Sequence, residues 1–145
     1  MFTAGDVLAK KGDFVASIDR SSSVLEAARL MTSRNIGALV VTEGEMVVGI
    51  FTERDILTRV VAAQADPATT TVGQVMTSPV ACCRRDTAVE ECRTAITLHR
   101  TRHLPVVEDG RLVGIITSGD IMAQEIAAQQ STIEHLHQYL YGTHR

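Results

Sequence analysis

The chain has 145 residues, 45% of them hydrophobic, and a formal net charge of −3 at pH 7, enough apolar material for one core or for two small halves sharing one. The acidic balance and an aromatic content of only 3% exclude nucleic acid as an expected partner, because both the positive field and the stacking surface are lacking. No apolar run reaches the length of a membrane span and the first residues lack the form of a signal peptide, so we expect a cytoplasmic protein with no membrane partner.

The first half of the chain reads as a short helix followed by a β-α-β-β-α unit. The short helix is predicted at residues 3–9 and the first strand at residues 14–18. Ser23 with Glu26 predicts a capped helix that ends near Asn35. Two strands then follow at residues 38–42 and 47–51, with a second helix to about residue 63. Residues 62–71, with Pro67 and three threonines, read as a linker.

The second half repeats this order after a shift of 65 residues. Gly49, Thr52 and Asp55 are placed on Gly114, Thr117 and Asp120, and the short phrase at residues 71–76 repeats that at residues 3–9. The repeat predicts an internal duplication, because neither half could bury its sheet face alone. We expect an N-terminal helix and first repeat at residues 1–66, a second repeat at 67–127 and a C-terminal helix extension at 128–145.

The sequence G-I-x-T-x-x-D occurs in both halves, at residues 49–55 and 114–120, where a strand is expected to pass into a helix. The Thr and Asp of such a corner can form a capping box, which satisfies free N–H groups without any ligand. The same corner can also bind an anion at the helix N-terminus and hold sugar hydroxyls on the carboxylate. Two such corners facing a shared cleft favour paired ligand sites.

Metal and catalytic chemistry find little support in the sequence. The three cysteines, Cys82, Cys83 and Cys92, lack metal-ligand spacing and are expected to be reduced thiols, with Cys82 and Cys83 on opposite faces of a strand. The five histidines show no zinc-binding pattern either. We find no nucleophile with a matching base and no phosphate-binding G-x-x-x-x-G-K loop, so we expect neither an enzyme nor a catalytic cofactor.

The two corners, together with R-H-L-P-V at residues 102–106, resemble the cystathionine-β-synthase (CBS) domain family. Residues 3–127 look like one CBS-domain pair, or Bateman module. The resemblance implies an α/β (α+β) fold with two tandem β-α-β-β-α repeats packed with pseudo-two-fold symmetry, plus a C-terminal helix. It also implies an adenine-nucleotide ligand: AMP is expected first, with ADP, ATP, NAD, NADH or S-adenosylmethionine as alternatives.

The resemblance further implies a first nucleotide site in which the corner of one half works with strands of the other. Its residues are Thr52 and Asp55 for the ribose and phosphate side, Val80, Thr101 and Arg102 near the base, and Arg102 and His103 at the phosphate. Arg54 could add a further positive charge. Because an arginine and a histidine can both bind a phosphate, we expect this site to hold phosphate more strongly than its counterpart.

By symmetry, a second site would combine Thr117 and Asp120 with a base lying against residues 36–38. Its residues Ile36, Gly37 and Ala38 offer only backbone and space where the first site has Arg102 and His103. Lys10 and Lys11 could compensate there, or could simply be cations at the end of a helix.

The leading hypothesis is a stand-alone sensor of energy or redox state that dimerises, binds an adenine nucleotide and signals to an unknown effector protein by changing the angle between its halves. The alternative is a ligand-free dimerisation or scaffold module. Residues 121–141 predict a helix longer than the repeat requires, with Gly142 as its stop. This tail either covers its own module or contacts a second chain, and CBS pairs usually form two-fold dimers.

Overall fold

The structure is a computed structural model that describes residues 1–12 and 14–141. The first half contains α1 (Ala4–Lys11), β1 (Ser17–Asp19), α2 (Val24–Arg34), β2 (Ala38–Glu43), β3 (Met46–Thr52) and α3 (Glu53–Asp55), which continues as a π-helix (Ile56–Val61). The second half contains α4 (Val72–Val75), α5 (Val89–Leu98), β4 (His103–Glu108), β5 (Arg111–Thr117) and α6 (Ser118–Tyr141). This order confirms the predicted α/β fold of two tandem repeats with a C-terminal helix.

The five strands form one sheet in the order β1-β2-β3-β5-β4. β2 and β3 form one antiparallel hairpin and β4 and β5 the other, and the hairpins meet where Met46 of β3 pairs with Arg111 of β5. The register shifts after Val41 in the first hairpin and after Val106 in the second, which are equivalent positions. The duplication seen in the sequence is therefore retained down to single irregularities of the ladder.

The first strand of each half differs from the prediction. In the first half it covers Ser17–Asp19 rather than residues 14–18, and in the second half only an isolated bridge joins Cys83 to Val106. A missing donor explains the difference between the halves. Val40 donates its N–H to the Ala16 carbonyl (3.2 Å), whereas Pro105, at the equivalent position, has no N–H and cannot extend the ladder.

The helices that follow the two corners also differ from each other. After the first corner the chain makes one α-helical turn and then six residues of π-helix, so the helix predicted to residue 63 ends near Val61. After the second corner α6 runs without interruption for 24 residues, as predicted for the tail. The expected stop at Gly142 lies outside the described residues. Of the helices in the described range, none combines the length and apolar character of a membrane span.

The core consists of two hydrophobic clusters, one in each half, rather than one shared core. Each cluster includes the short helix that precedes the other half in sequence. Ala4, Val7 and Leu8 of α1 lie in the cluster of the second half. Val72 and Val75 of α4 lie in the cluster of the first half. The short helix that precedes each repeat therefore completes the core of the opposite repeat.

Backbone hydrogen bonds hold these two short helices at equivalent places. Gly5 donates its N–H to the Arg85 carbonyl (2.8 Å), and Gly73 donates to the Arg20 carbonyl (2.8 Å). Each glycine lies so close to its partner segment that an added Cβ would contact backbone, at 3.1 Å from the Arg85 oxygen and 3.0 Å from the Arg20 oxygen. Each short helix is thus held on the opposite repeat by close backbone contacts as well as by side-chain packing.

The cysteines follow the sequence-based prediction. All three are free, with Cys82 exposed and its neighbour Cys83 buried, as expected for opposite faces of an extended segment. A hydrogen bond to Cys92 and burial raise the pKa of the Cys83 thiol. Cys83 is therefore a protonated core residue at neutral pH.

We expect Gly49→Ala to destabilise the protein by about 1–3 kcal/mol. The new Cβ would lie 2.8 Å from the Thr77 carbonyl oxygen and 2.6 Å from the Met76 sulfur, so a backbone segment must shift. Gly119→Ala is the matched control, because the nearest atom to its Cβ is 3.6 Å away and Gly119 lies in a helix, where alanine is favoured. Urea unfolding of both variants checks this, and equal midpoints would contradict it.

Candidate ligand-binding site

The two G-I-x-T-x-x-D corners have the same local geometry. Thr52 donates its N–H to Asp55 Oδ2 (3.0 Å) and accepts from the Asp55 N–H through Oγ1 (3.3 Å). Thr117 and Asp120 make the equivalent bonds at 2.9 and 3.1 Å. Both corners are therefore complete capping boxes, so the structural role weighed in the sequence is present in each.

Each corner is also tied to the start of the neighbouring strand in its own half. Glu53 donates its N–H to the Gly37 carbonyl and Ser118 to the Arg102 carbonyl, both at 3.0 Å. The strand register agrees, because Thr117 pairs with His103 across the second hairpin. Residues 36–38 and 101–103 are thereby held next to the corners at matching places.

Asp55, in the first corner, is saturated by donors of its own chain. The residue is only 6% exposed. In addition to the Thr52 contacts on Oδ2, its Oδ1 accepts from Thr77 Oγ1 at 3.3 Å and lies 3.8 Å from Arg59 Nε. Thr77 is itself fixed by two backbone hydrogen bonds with Ile50 (2.8 and 3.0 Å). A ligand that reached this carboxylate would have to displace a paired backbone segment.

The carboxylate of Asp120, in the second corner, is covered by a different kind of group. Lys11, at the end of α1, places Nζ 2.6 Å from Asp120 Oδ2 and donates a second bond to the Ile115 carbonyl (3.0 Å). Ile115 is the equivalent of Ile50, so the Lys11 ammonium makes both contacts that Thr77 makes in the first half. The two side chains are 28% and 21% exposed. Here a flexible side chain, and not a strand pairing, covers the carboxylate.

A cavity of about 260 Å³ opens beside the second corner, and we call it the corner cavity. Apolar groups form most of its wall, with an ammonium, an imidazole and a hydroxyl among them. Its lining consists of Lys11, Phe14, Val15, Ala16, Ile36, Gly37, Ala38, His103, Ile115 and Thr117. A mainly apolar wall with a few convergent polar groups is the usual composition of a small-molecule site.

The corner cavity brings together most of the residues predicted for the second site. Ile36, Gly37, Ala38 and Thr117 all line it, although they come from different halves of the chain. Asp120 lies at its edge through the ion pair with Lys11. The fold therefore brings residues of both halves to one cavity, and their role in binding a ligand stays a prediction.

His103 lines the corner cavity. The sequence assigned it to the phosphate of the first site, but the structure places it in the wall of the corner cavity with Thr117. The reason is the hairpin register, which pairs His103 directly with Thr117. The expectation that the first site holds phosphate more strongly, through Arg102 and His103, stays a prediction.

The other residues predicted for the first site lie outside the lining of the corner cavity, namely Thr52, Arg54, Asp55, Val80, Thr101 and Arg102. Arg54 and Arg102 are exposed to solvent. The Thr101 hydroxyl bonds to the backbone of His103, accepting from its N–H (3.2 Å) and donating to its carbonyl (3.0 Å). Their role in a first nucleotide site stays a prediction.

Sequence reasoning missed the wall formed by residues 14–16. Phe14 is 66% exposed and lies against the Arg34 guanidinium, at 4.9 Å from ring centroid to Cζ. Val15 and Ala16 continue the wall inward. The signal was available, because Val80 was predicted beside a base in the first site and Val15 is its equivalent in the repeat.

The charges around His103 favour its neutral form. Burial lowers the pKa of this histidine, and Arg102 and Lys11 lower it further, whereas Glu53 and Asp120 oppose them. A neutral imidazole can still donate or accept a hydrogen bond. Among the side chains of the cavity lining, the formal charge at neutral pH is thus on Lys11.

A family model and solved structures agree with this architecture. The CBS domain model matches residues 4–62 and 72–126. A mitochondrial CBS domain-containing protein of Arabidopsis thaliana, CBSX3, is 30% identical over 152 residues, covering 97% of this chain and 72% of that protein. The crystal structure of the CBS domain protein NE2398 has a TM-score of 0.81 and 37% identity, covering 87% of this chain and 99% of that one.

A further solved structure contains ligands. The CBS domain pair of protein MJ0100, in complex with 5′-methylthioadenosine and S-adenosyl-L-methionine, has a TM-score of 0.77 and 27% identity. The match covers 88% of this chain and 98% of that one. Within residues 1–12 and 14–141 no group of three or more His, Cys, Asp or Glu side chains could hold a metal ion.

We expect His103 to destabilise the protein as the pH falls from 6.5, its ordinary pKa, through its lower folded pKa. In that window the unfolded chain binds more protons than the folded one, so the contribution is complete above 6.5 and lost below. His103→Gln should therefore lose less unfolding free energy between pH 7 and pH 5 than the wild type. Urea unfolding measures this, with His99→Gln, an exposed histidine, as control; identical pH slopes for His103→Gln and wild type would contradict it.

Proposed function

Since the chain belongs to the CBS domain family, we propose that it is a non-enzymatic regulatory module that binds an adenosine-type ligand in the corner cavity. The observation that carries the proposal is the cavity itself. It joins an apolar wall from the first half to Thr117, His103 and the neighbouring Asp120 of the second half.

The chemistry of the cavity matches the parts of an adenosine. The wall of Val15, Ala16, Ile36 and Ile115 suits the flat face of a base, which gains from leaving water. A carboxylate such as that of Asp120 can accept hydrogen bonds from the two ribose hydroxyls. The complex of protein MJ0100 with two adenosine derivatives supports this ligand class for the fold.

We expect AMP to be the preferred ligand, with ADP, ATP, NAD or NADH and S-adenosylmethionine as alternatives. The first corner contributes differently under this proposal. Asp55 already has four donors of its own chain around it, so we assign Thr52 and Asp55 mainly to holding the first half together.

The narrow junction between the hairpins supports a signalling role. Beyond the Met46 and Arg111 pair, the two hairpins are joined there by hydrogen bonds from Val47 to the Gly110 carbonyl and from Leu112 to the Glu45 carbonyl. A ligand between residues 36–38 and Thr117 touches both hairpins, so its binding can change the angle between the halves. An effector protein would read that angle.

The second candidate function is a ligand-free scaffold, and the completed capping boxes favour it. Under that hypothesis Asp120 serves only its own helix, as Asp55 does. The two functions differ in what happens to ligand response when Asp120 is removed.

We expect AMP to raise the melting temperature of the wild type and Asp120→Ala to abolish that rise while costing about 1 kcal/mol for the lost cap. Asp6→Ala is the matched control, because Asp6 forms the same capping box with Thr3 in α1 but has no place in the corner cavity. The measurement is a thermal-shift titration at fixed protein and salt against AMP, ADP, ATP, NAD, NADH, S-adenosylmethionine and 5′-methylthioadenosine. No shift with any of them, from protein free of carried-over nucleotide, would favour the scaffold.

We further propose that the protein forms a homodimer through the helices that follow the two corners. Leu57 and Val61 of the first half are 62% and 63% exposed, and their equivalents in the repeat, Met122 and Ile126, are 61% and 49% exposed. The same apolar pair is thus presented twice under the pseudo-two-fold symmetry. A surface of this kind is suited to a two-fold copy of itself.

The tail continues the apolar exposure beyond the repeat, with Ile133, Leu136 and Leu140 all more than half exposed. This favours a contact with the second chain over the alternative that the tail covers its own module. It adds to the surface formed by the corner helices.

We expect the double variant Leu57→Glu, Met122→Glu to be a monomer where the wild type is a dimer, because four charges would be buried in the interface. Sedimentation velocity at one concentration measures it, with Leu98→Glu, exposed at the end of α5, as control. A chain truncated after Gln129 tests the tail separately: if it remains a full dimer, the tail is not needed for association.

A further inference from the structure

The two lysines of the chain are neighbours with different surroundings. Lys10 lies over the Phe2 ring, with Nζ 5.1 Å from its centroid. Lys11 instead turns into the molecule and joins α1 to the second corner through the Asp120 carboxylate and the Ile115 carbonyl. It also separates the corner cavity from a groove between α1 and α6, because it lines both.

This ion pair competes with a ligand for one carboxylate. The Thr117 N–H and the Lys11 ammonium both donate to Oδ2 of Asp120. A ribose whose two hydroxyls donate to both carboxylate oxygens must therefore share Oδ2 with the ammonium or displace it. Lys11 can leave the carboxylate by rotating its side chain, whose Nζ makes both contacts, whereas Thr77 over Asp55 is held by its backbone.

We propose that Lys11 is a displaceable latch on Asp120 that becomes the phosphate-binding cation once a ligand enters, so that the site selects 5′-phosphorylated adenosines over neutral ones. The inference rests on the proposed function and adds to it the residue that sets ligand class. When AMP displaces the ammonium from the carboxylate, its phosphate forms a new ion pair with the ammonium. A neutral adenosine breaks the ion pair and provides no anion to replace the carboxylate.

Lys11 is the positively charged side chain in the lining of the corner cavity, so it is the group placed to bind a phosphate there. His103 faces the same cavity in its neutral form, and Arg102 is exposed outside the lining. The partly exposed ion pair, with side chains 28% and 21% exposed, is weak enough to be exchanged.

The test measures the affinities of AMP and adenosine for wild type, Lys11→Met and Lys10→Met by calorimetry. We expect the wild type to bind AMP at least about tenfold more tightly than adenosine. In Lys11→Met the two affinities should move in opposite directions: adenosine binds more tightly because its competitor is gone, and AMP more weakly because its cation is gone. Lys10→Met removes the same charge one residue away and should keep the wild-type ratio.

Two results would overturn the proposal. One is a ratio of AMP to adenosine affinity that is the same in Lys11→Met and wild type. The other is adenosine affinity that falls in Lys11→Met together with that of AMP, which is the behaviour of a residue needed only for the shape of the site. If neither compound binds the wild type, the proposed function fails instead, and the two failures are thereby distinguished.

A second measurement uses the unmodified protein, so it does not depend on a variant that folds. An amine-reactive acetylating reagent labels Lys10 and Lys11, and mass spectrometry of fragment ions separates the two positions. Adenosine at saturation should speed labelling of Lys11 relative to Lys10, because the released amine loses its carboxylate, while AMP should slow it. Equal labelling of Lys11 with both ligands would also contradict the latch.

Discussion

The reciprocal packing of α1 and α4 is the constraint on which the rest of the structure depends. Each short helix completes the hydrophobic cluster of the other repeat and not of the repeat that it precedes in sequence. α1 packs against β5 and α6, and α4 packs against β3 and the π-helix. A half without its exchanged helix would expose apolar residues such as Leu104 or Phe51, which are fully buried here. The pseudo-symmetry is therefore maintained by packing and not only by common ancestry.

The same exchange explains why two nearly identical corners have different chemistry. The chain leaving α4 continues as a strand-like segment, so Thr77 pairs with Ile50 and closes Asp55 with backbone bonds. α1 ends at Lys11, whose side chain reaches Asp120, and the next residue, Gly12, has a positive φ of 94°. The Asp55 carboxylate is therefore covered by a segment held through backbone bonds, whereas the Asp120 carboxylate is covered by a flexible side chain beside the corner cavity.

Repetition made the fold predictable from the sequence. A shift of 65 residues fixed the order of elements, and the two capping boxes marked the strand-to-helix corners correctly. What the repeat could not predict depended on particular atoms: the missing N–H of Pro105 shortens a strand, and the register of β4 places His103 beside Thr117. The reach of Lys11 over 109 positions of sequence leaves no local pattern, so the sequence left its role open. The packing of α1 into the opposite core had no local signal either.

The exchanged helices also bear on how such a chain could arise. In one repeat by itself, the short helix has no surface to pack against and the hydrophobic cluster lacks the helix that covers it. Two separate copies related by a two-fold axis would solve both problems, because each would pack its short helix on the cluster of the other. Joining the copies through residues 62–71 makes this trade intramolecular, at an effective concentration of the order of millimolar. Once joined, the two halves no longer had to be identical, and a threonine hydroxyl could come to cover the carboxylate of one corner and a lysine ammonium that of the other.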